Sequence, residues 1–120
     1  MRGYKNKLGK FGEDLARRYL EKKGYLFLDN NWQRRCGEVD LIFIRDNEII
    51  FIEVKTRTRN YYGYGEDAVN VSKKEKINRA IDLFLSENEK YQNYFPRFEI
   101  VVVELFSLTP KIIHYEVVEL

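Results

Sequence analysis

Residues 36–59, CGEVDLIFIRDNEIIFIEVKTRTR, contain two apolar runs separated by a short polar segment. Val, Ile, Leu and Phe dominate both runs, a composition typical of strands that are buried on both faces. Asp46 and Asn47 lie between the runs, and these residue types can adopt the positive φ that a tight hairpin turn demands. The stretch therefore predicts a β-hairpin with strands at 38–44 and 48–56.

The hairpin turn sets the register of the two strands. If Arg45 pairs with Glu48, two charged pairs follow at the end far from the turn: Asp40 opposite Glu53, and Glu38 opposite Lys55. Side chains alternate across a strand, so these four charged side chains share one face of the hairpin. The other face is entirely apolar and consists of Val39, Leu41, Phe43, Ile50, Ile52 and Val54.

The charged end of the hairpin needs neutralising groups. Two directly opposed carboxylates repel each other, and burying them unpaired costs more. Lys55 is one partner, and Mg²⁺ is another, because it commonly takes one or two carboxylates together with water and phosphate oxygens. The pattern therefore indicates a cation site at Asp40 and Glu53. A surface hairpin with one Glu–Lys pair and two solvated acids is the alternative interpretation.

The segments around the hairpin complete the fold. Apolar periodicity and terminal signals predict helices at 8–24 and 72–89 and further strands at 25–32, 98–106 and 111–120. A polar and aromatic connection of a length that is often functional joins the hairpin to the second helix. The order α-β-β-β-α-β-β predicts an α/β fold with a mixed central sheet flanked by helices.

The composition fits one globular domain spanning residues 1–120. Hydrophobic residues make up 44% of the 120 and charged residues 33%, so the chain can bury an apolar core without staples. Cys36 is the only cysteine, which excludes an intrachain disulfide and favours a reducing compartment. The N-terminal sequence has no long apolar run, so we expect a soluble cytoplasmic protein with no secretory signal or membrane span.

The charge of the chain is unevenly distributed. Residues 1–35 contain ten Lys and Arg against four Asp and Glu, whereas residues 80–120 contain three against seven. Clustered cations are the starting point of phosphate affinity. The N-terminal third is therefore either a solvated face or a face that binds a polyanion.

The motifs of the hairpin resemble those of a nuclease superfamily. Asp40, followed on the next strand by Glu53 and Lys55 in EVK, resembles the PD-(D/E)xK pattern of the restriction-endonuclease-like nucleases, and the element order is similar to their common core. Val39 stands where the pattern has Pro. More closely, the chain resembles the uncharacterised YraN-like family of bacterial proteins, through GEDLA (12–16), NW (31–32), GEVDLI (37–42), FIEVKTR (51–57), DAV (67–69) and Lys73 at the start of the second helix.

The resemblance implies a restriction-endonuclease-like core and roles for the charged residues of the hairpin. Asp40, Glu53 and the backbone carbonyl of Val54 would ligate Mg²⁺ or Mn²⁺, which polarises a phosphodiester and activates water. Lys55 would position that water or stabilise the developing charge. Glu38 could support a second ion or orient water, and a salt bridge to Lys55 is its alternative role.

A glutamate on the first helix completes the implied catalytic set. Gly9, Glu13, Ala16 and Leu20 form one stripe of that helix, whose small residues allow a close approach to the sheet. Related nucleases often place a helical Glu at the metal site, and Glu13 matches that position by resemblance. The alternative is an exposed Glu13 paired with Arg17.

Cations and an aromatic residue near the hairpin are candidates for nucleic-acid contacts: Arg34, Arg35, Arg57, Arg59, Tyr62, Lys73 and Lys76. Such a mixture suits nucleic acid because cations contact phosphate and aromatic rings stack on bases. Lys73 could contact either phosphate or the acids of the metal site. Solvated lysines and a packed tyrosine-rich loop are the alternatives.

The motifs and the resemblance together predict a metal-dependent nuclease that hydrolyses phosphodiester bonds in nucleic acid, with DNA favoured over RNA and branched or processed DNA included. Compact members of the superfamily, such as Holliday-junction resolvases, act as homodimers. The resemblance therefore implies a homodimer as one form of this protein. A catalytically inactive nucleic-acid-binding module and an interaction protein of DNA repair or uptake are the alternatives. His114 has no second His or Cys at ligand spacing, which argues against zinc, and no His partner makes Cys36 a nucleophile.

Overall fold

Two helices and five strands form the part of the protein that the computed structural model describes, residues 2–58 and 71–116. In chain order they are α1 (Arg2–Lys22), β1 (Leu26–Arg34), β2 (Gly37–Arg45), β3 (Glu48–Arg57), α2 (Val71–Glu87), a short 3-10 helix (Glu89–Tyr91), β4 (Phe95–Glu104) and β5 (Lys111–Tyr115). The predicted order α-β-β-β-α-β-β is confirmed. The first helix begins at Arg2, six residues earlier than the apolar periodicity indicated.

The five strands form one mixed sheet in the order β1-β2-β3-β4-β5. The pairs β1–β2, β2–β3 and β4–β5 are antiparallel, and β3–β4 is parallel. A parallel pair requires a crossover connection, and α2 lies in that connection between β3 and β4. This arrangement fits the restriction-endonuclease-like core that the sequence predicted.

The helices pack on opposite faces of the sheet. On one face, Ala16 and Leu20 of α1 pack against Phe43, Ile50 and Ile52. A second buried cluster, on the other face, joins α2 to the sheet and contains Trp32, Val39, Ile42, Phe51, Ala80, Ile81, Phe84, Phe98 and Ile100. Both faces of the central strands are therefore covered, as the run of apolar residues in each strand requires.

The register of the hairpin is confirmed near its turn. Arg45 pairs with Glu48, and the same register continues to Leu41 and Ile52. Asp46 has a φ of 54°, the left-handed conformation that the turn demands. Backbone pairing between β2 and β3 ends at Leu41 and Ile52.

Two predictions fail beyond that point. Asp40 and Glu53, and Glu38 and Lys55, are not backbone partners, because the pairing of β2 with β3 ends before them. Val39 packs in the α2-side cluster and not with Leu41 and Phe43 on the α1 side. The alternation breaks where Asp40 takes no part in either ladder of β2 and where Asn31, on the neighbouring strand, has a φ of 51°.

A buried polar network fastens the edge strand β5 to the rest of the sheet. Glu99 of β4 is completely buried, and its Oε1 accepts a hydrogen bond of 2.8 Å from the Tyr25 hydroxyl. His114 Nε2 lies 2.8 Å from the same oxygen, and Arg97 donates to Oε2 at 3.2 Å. Lys23 Nζ lies 3.2 Å from His114 Nδ1. His114, for which no role was predicted, therefore joins β5 to β4 and to the end of α1.

Neither helix in the described part of the chain is long and apolar enough to cross a membrane.

Candidate functional site

A cleft of about 410 Å³ lies between the first turns of α2 and the ends of β2 and β3 that are far from the hairpin turn. Its lining residues are Gly37, Glu38, Val39, Asp40, Ile52, Glu53, Val54, Lys73, Lys76, Ile77 and Phe98. The fold thus brings together the predicted metal ligands Asp40, Glu53 and Val54. It also brings Lys73 and Lys76, which were predicted to contact phosphate, to the same cleft. The floor is apolar and the rim is charged.

Asp40 occupies the point where the backbone ladder stops. Its Oδ2 accepts a hydrogen bond of 2.8 Å from the N–H of Val54, so a side chain here satisfies a donor that a strand carbonyl would otherwise satisfy. Burial, together with the charges of Glu13, Glu53 and Glu38, raises the pKa of the Asp40 carboxyl to about 6, despite the lowering effect of the Val54 N–H. A carboxylate with this environment is stabilised by any cation that comes to it.

Glu53 has two chemically different carboxylate oxygens. Lys55 Nζ lies 3.6 Å from Oε1, and Lys73 Nζ lies 3.7 Å from the same atom. Oε2 is buried and has no hydrogen-bond partner within residues 2–58 and 71–116. A buried carboxylate oxygen without a partner is costly, and it is the observation at this cleft that points most directly to a ligand.

Lys55 lies close to Glu53 on β3, and its side chain is less exposed than that of Lys73, the other lysine at this carboxylate. Burial lowers the pKa of its ammonium group, and a contact with Lys73 lowers it further, while the charge of Glu53 raises it. The lysine is thus held close to an acid and close to a second cation. The alternative role of Glu38 was a salt bridge to Lys55. In the described part of the chain Lys55 pairs with Glu53 instead.

Glu38 is an exposed residue of β2. It accepts a hydrogen bond of 3.4 Å from Gln33 Nε2 on β1. Its charge raises the pKa values of both Asp40 and Glu13. Glu38 therefore contributes to the negative potential of the cleft through the rim.

Glu13 of α1 does not line the cleft, but its charge raises the pKa of Asp40 because that helix approaches the sheet closely. A Cβ on Gly12 would overlap Oγ1 of Thr56 on β3, so only glycine allows this distance. Burial raises the pKa of Glu13, whose side chain is hydrogen-bonded to Asn31. The alternative pairing of Glu13 with Arg17 is not found, because the ion pair of Arg17 in the described part of the chain is with Glu21.

The residues of the cleft fit a hard divalent cation. In the described ranges no three Asp, Glu, His or Cys side chains cluster as a complete metal site. Mg²⁺, however, is usually held by one or two carboxylates and keeps several waters, which leaves room for substrate oxygens. Asp40 and the unpartnered oxygen of Glu53 supply two such carboxylates, and Val54 lines the same cleft.

The predicted nucleic-acid contacts separate into three groups. Lys73 and Lys76 line the cleft, one turn apart on α2. Arg34 pairs with Glu87 at 3.0 Å and lies over the Trp32 ring, away from the cleft lining. Arg35 is exposed and follows β1. Arg57 ends β3, with its guanidinium 3.3 Å from the carbonyl of Thr56. Arg59 and Tyr62 lie outside the described residues.

Several residues at or beside the cleft were not predicted from the sequence, among them Asn31, Ile77 and Phe98. Asn31, in β1, takes the left-handed conformation and interacts with Glu13. Asn is the residue type that tolerates this conformation best after glycine, which was the available signal. Ile77 and Phe98 form part of the cleft floor. Their apolar character marked them as core, and only the fold reveals which core positions border a cleft.

Comparisons with known proteins identify relatives of this chain. The sequence model of an uncharacterised protein family, UPF0102, matches residues 12–103, which include every lining residue of the cleft. The chain belongs to this family. A UPF0102 protein of Caldanaerobacter subterraneus is 40% identical over 101 residues, 84% of this chain and 82% of that protein.

Further UPF0102 relatives cover similar spans. One from Alkaliphilus oremlandii is 40% identical over 92% of this chain and 95% of its own length. Another, from Clostridium perfringens, is 39% identical over 86% of this chain and 84% of its own. The YraN-like resemblance drawn from the motifs is thereby confirmed at the level of the family, while the family's own description assigns no activity.

Proposed function

We propose that this UPF0102 protein is a metal-dependent nuclease that hydrolyses phosphodiester bonds in DNA. The single observation that carries the proposal is the buried, partnerless Oε2 of Glu53 beside Asp40, whose pKa is raised to about 6. A binding module has no need of two acids that repel its phosphate ligand. The resemblance of Asp40, Glu53 and Lys55 to the PD-(D/E)xK pattern supports the same reading.

Some residues of the cleft would hold a cation, and others would contact phosphate. Asp40, Glu53 and the Val54 carbonyl would hold Mg²⁺ or Mn²⁺, which when bound supplies a polarised phosphodiester and a more acidic water. Lys55, next to Glu53 on the same strand, stabilises the negative charge that develops on the phosphoryl oxygens. Glu13 and Glu38 add negative potential that favours a doubly charged cation over a lysine.

Positive charge for the substrate comes from the rim of the cleft. Lys73 and Lys76 are three residues apart on α2 and therefore share a face. Phosphate contacts of this kind position a nucleic acid without reading its sequence. We therefore expect recognition of DNA structure, with a four-way junction or flap as the substrate class and a homodimer as the form that cuts two strands.

Cleavage of end-labelled DNA tests the proposal. Single-stranded, duplex, flap and four-way-junction substrates are incubated with Mn²⁺ or with EDTA. The wild-type protein is compared with Asp40→Asn and Lys55→Met, and with Asp82→Asn, which makes the same carboxylate-to-amide change at an exposed position of α2. Circular dichroism confirms that each variant is folded.

We expect cleavage that requires Mn²⁺, is retained by Asp82→Asn and is lost in the other two variants. Cleavage that persists in Asp40→Asn and Lys55→Met would place the activity in a contaminant or another site. No cleavage, with DNA binding that weakens steeply with salt and does not depend on metal, would identify a binding module instead. Absence of any polynucleotide binding would leave an interaction protein.

A further inference from the structure

The two lysines at Glu53 are arranged unequally around one carboxylate. Both ammonium groups lie within 3.7 Å of Oε1, whereas the buried Oε2 has no partner in the described structure. The side chain of Lys55 is 11% exposed and that of Lys73 is 35% exposed. Lys55 projects from the same strand as Glu53, but Lys73 comes from the first turn of α2.

A divalent cation at Glu53 would change the balance of charge around that carboxylate. The doubly charged ion would then join two ammonium groups at the same carboxylate, and like charges at such distances repel strongly in a partly buried site. One lysine must move. Lys73 can move more easily, because its more exposed side chain regains water whereas Lys55 is packed against the sheet.

The position that Lys73 would take is suggested by its neighbour on α2. Lys76 is exposed and lines the same cleft one helical turn away, and no ion pair joins it to Glu53 within the described residues. A lysine that leaves Glu53 on this face of α2 joins Lys76 at the rim. Two ammonium groups at that spacing suit adjacent phosphate oxygens of a polynucleotide.

We infer that Lys73 is a displaceable counter-ion that couples metal binding to nucleic-acid binding. In the metal-free protein it neutralises Glu53, and when the cation binds it turns to the phosphate backbone beside Lys76. Thermodynamic linkage makes the coupling reciprocal, so bound nucleic acid holds Lys73 away from Glu53 and raises the affinity for the cation. This inference rests on the proposed function, since it assumes that Glu53 binds a metal.

Metal affinity without nucleic acid tests the first half, with no dependence on catalysis. Free Mn²⁺ is measured by electron paramagnetic resonance during titration of the wild-type protein and of Lys73→Met, Lys73→Arg, Lys74→Met and Glu53→Gln. Loss of a competing cation of ordinary salt-bridge strength should make Lys73→Met bind Mn²⁺ on the order of fivefold more tightly. Lys74→Met, the same change one residue along α2 and outside the cleft lining, should match the wild type, as should the charge-conserving Lys73→Arg.

Binding of a fluorescent four-way junction tests the second half. Affinity is measured by anisotropy over a range of salt, once with Ca²⁺ in place of the catalytic ion and once with EDTA. Removing one phosphate contact lowers the salt dependence by about one ion. Lys73→Met should show this decrease in Ca²⁺ but not in EDTA, where Lys73 is already occupied by Glu53.

The outcomes separate this inference from the proposed function. Equal or weaker Mn²⁺ binding by Lys73→Met, or the same decrease in salt dependence with and without Ca²⁺, would overturn the counter-ion role while leaving a metal-dependent nuclease intact. A wild-type protein that binds no Mn²⁺, or binds it as well after Glu53→Gln, would overturn the metal site and the coupling together. Tighter binding confined to Lys73→Met supports the inference.

Discussion

Replacement of Asp40 by Asn should make the metal-free protein more stable, although it removes a proposed ligand. Burial and the charges of Glu13, Glu53 and Glu38 raise the pKa of Asp40 from the ordinary 3.8 to about 6. The difference between these values corresponds to about 3 kcal/mol of lost stability once the carboxyl is ionised in both states. Asn keeps an oxygen that can accept the Val54 N–H, so the substitution removes the charge and retains the hydrogen bond.

The pH dependence of this effect has a definite sign. Well below pH 3.8 Asp40 is protonated in the folded and the unfolded protein, and its titration contributes nothing to the difference. Between the two pKa values only the unfolded chain releases the proton, so the free energy of unfolding falls as pH rises. Above about pH 6 the full loss is present. The gain from Asp40→Asn should therefore be largest at neutral pH and shrink on acidification.

Urea unfolding in EDTA measures the effect. At about pH 7.5 we expect Asp40→Asn to unfold with a free energy about 1–3 kcal/mol above that of the wild type, the lower bound allowing for relaxation of the neighbouring acids. At about pH 4 the two proteins should differ by a few tenths of a kcal/mol. The exposed control Asp82→Asn should change the free energy by less than about 0.5 kcal/mol at either pH.

Two results would contradict the conclusion that the charge of Asp40 destabilises the metal-free protein. A loss of stability in Asp40→Asn at neutral pH would mean that the carboxylate is stabilised by its surroundings. A gain of equal size at both pH values would mean that side-chain packing, not charge, is responsible. Added Mn²⁺ supplies a further check, since it should stabilise the wild-type protein by mass action and have little effect on the variant.

Three further outcomes follow from the fold. Gly12→Ala should destabilise the protein by about 1–3 kcal/mol in thermal or urea unfolding, because its Cβ would overlap Oγ1 on β3, whereas Gly9→Ala, with no atom within 4 Å of its Cβ, should be neutral or stabilising. Glu99→Gln should cost about 3–5 kcal/mol, as expected when one partner of a buried ion pair is removed; a change under about 1 kcal/mol would show that the network is dispensable. Nitrogen NMR of the single imidazole should find a proton on Nε2 of His114, because the carboxylate oxygen of Glu99 that lies 2.8 Å away can only accept; an Nε2 without a proton would contradict the contact.

The part of the fold that sequence could supply is the part governed by short-range pattern. The register near the turn follows from a two-residue loop and the alternation of apolar side chains, and the structure confirms it from Arg45 to Leu41. The order of elements follows from periodicity in the same way. The sequence also singled out two acids of the hairpin and two lysines of the second helix. These residues, Asp40, Glu53, Lys73 and Lys76, do line one cleft.

What sequence could not supply depends on contacts between distant segments. Side-chain alternation predicts where Val39 should point only while the backbone remains a regular strand, and the left-handed Asn31 and the Asp40–Val54 hydrogen bond interrupt it. The small residues of the Gly9 and Ala16 stripe predicted that α1 approaches the sheet closely, but the glycine at the contact with β3 is Gly12, and Gly9 has open space around it. Which glycine of a helix makes such a contact depends on tertiary packing.

Two buried acidic sites in this small protein have opposite electrostatics, and the contrast separates a structural role from a functional one. Burial would raise the pKa of Glu99, but hydrogen bonds from His114 and Tyr25 and the charges of His114 and Arg97 outweigh it and hold that pKa below the ordinary value. Each oxygen of Glu99 has a partner. That carboxylate is satisfied by the fold and stabilises it.

Asp40 and Glu53 are partly buried in the same sheet without equivalent compensation. Asp40 has a raised pKa and acidic neighbours, and one oxygen of Glu53 has no hydrogen-bond partner in the described structure. The fold can satisfy a buried acid, as Glu99 demonstrates, so the incomplete satisfaction here is not a general weakness of the scaffold. Groups kept at a cost to stability are characteristic of sites that bind or react. A cation that satisfies both carboxylates would remove the cost, and that coupling of ligand binding to stability is the physical basis for proposing a cation-binding site at this end of the sheet.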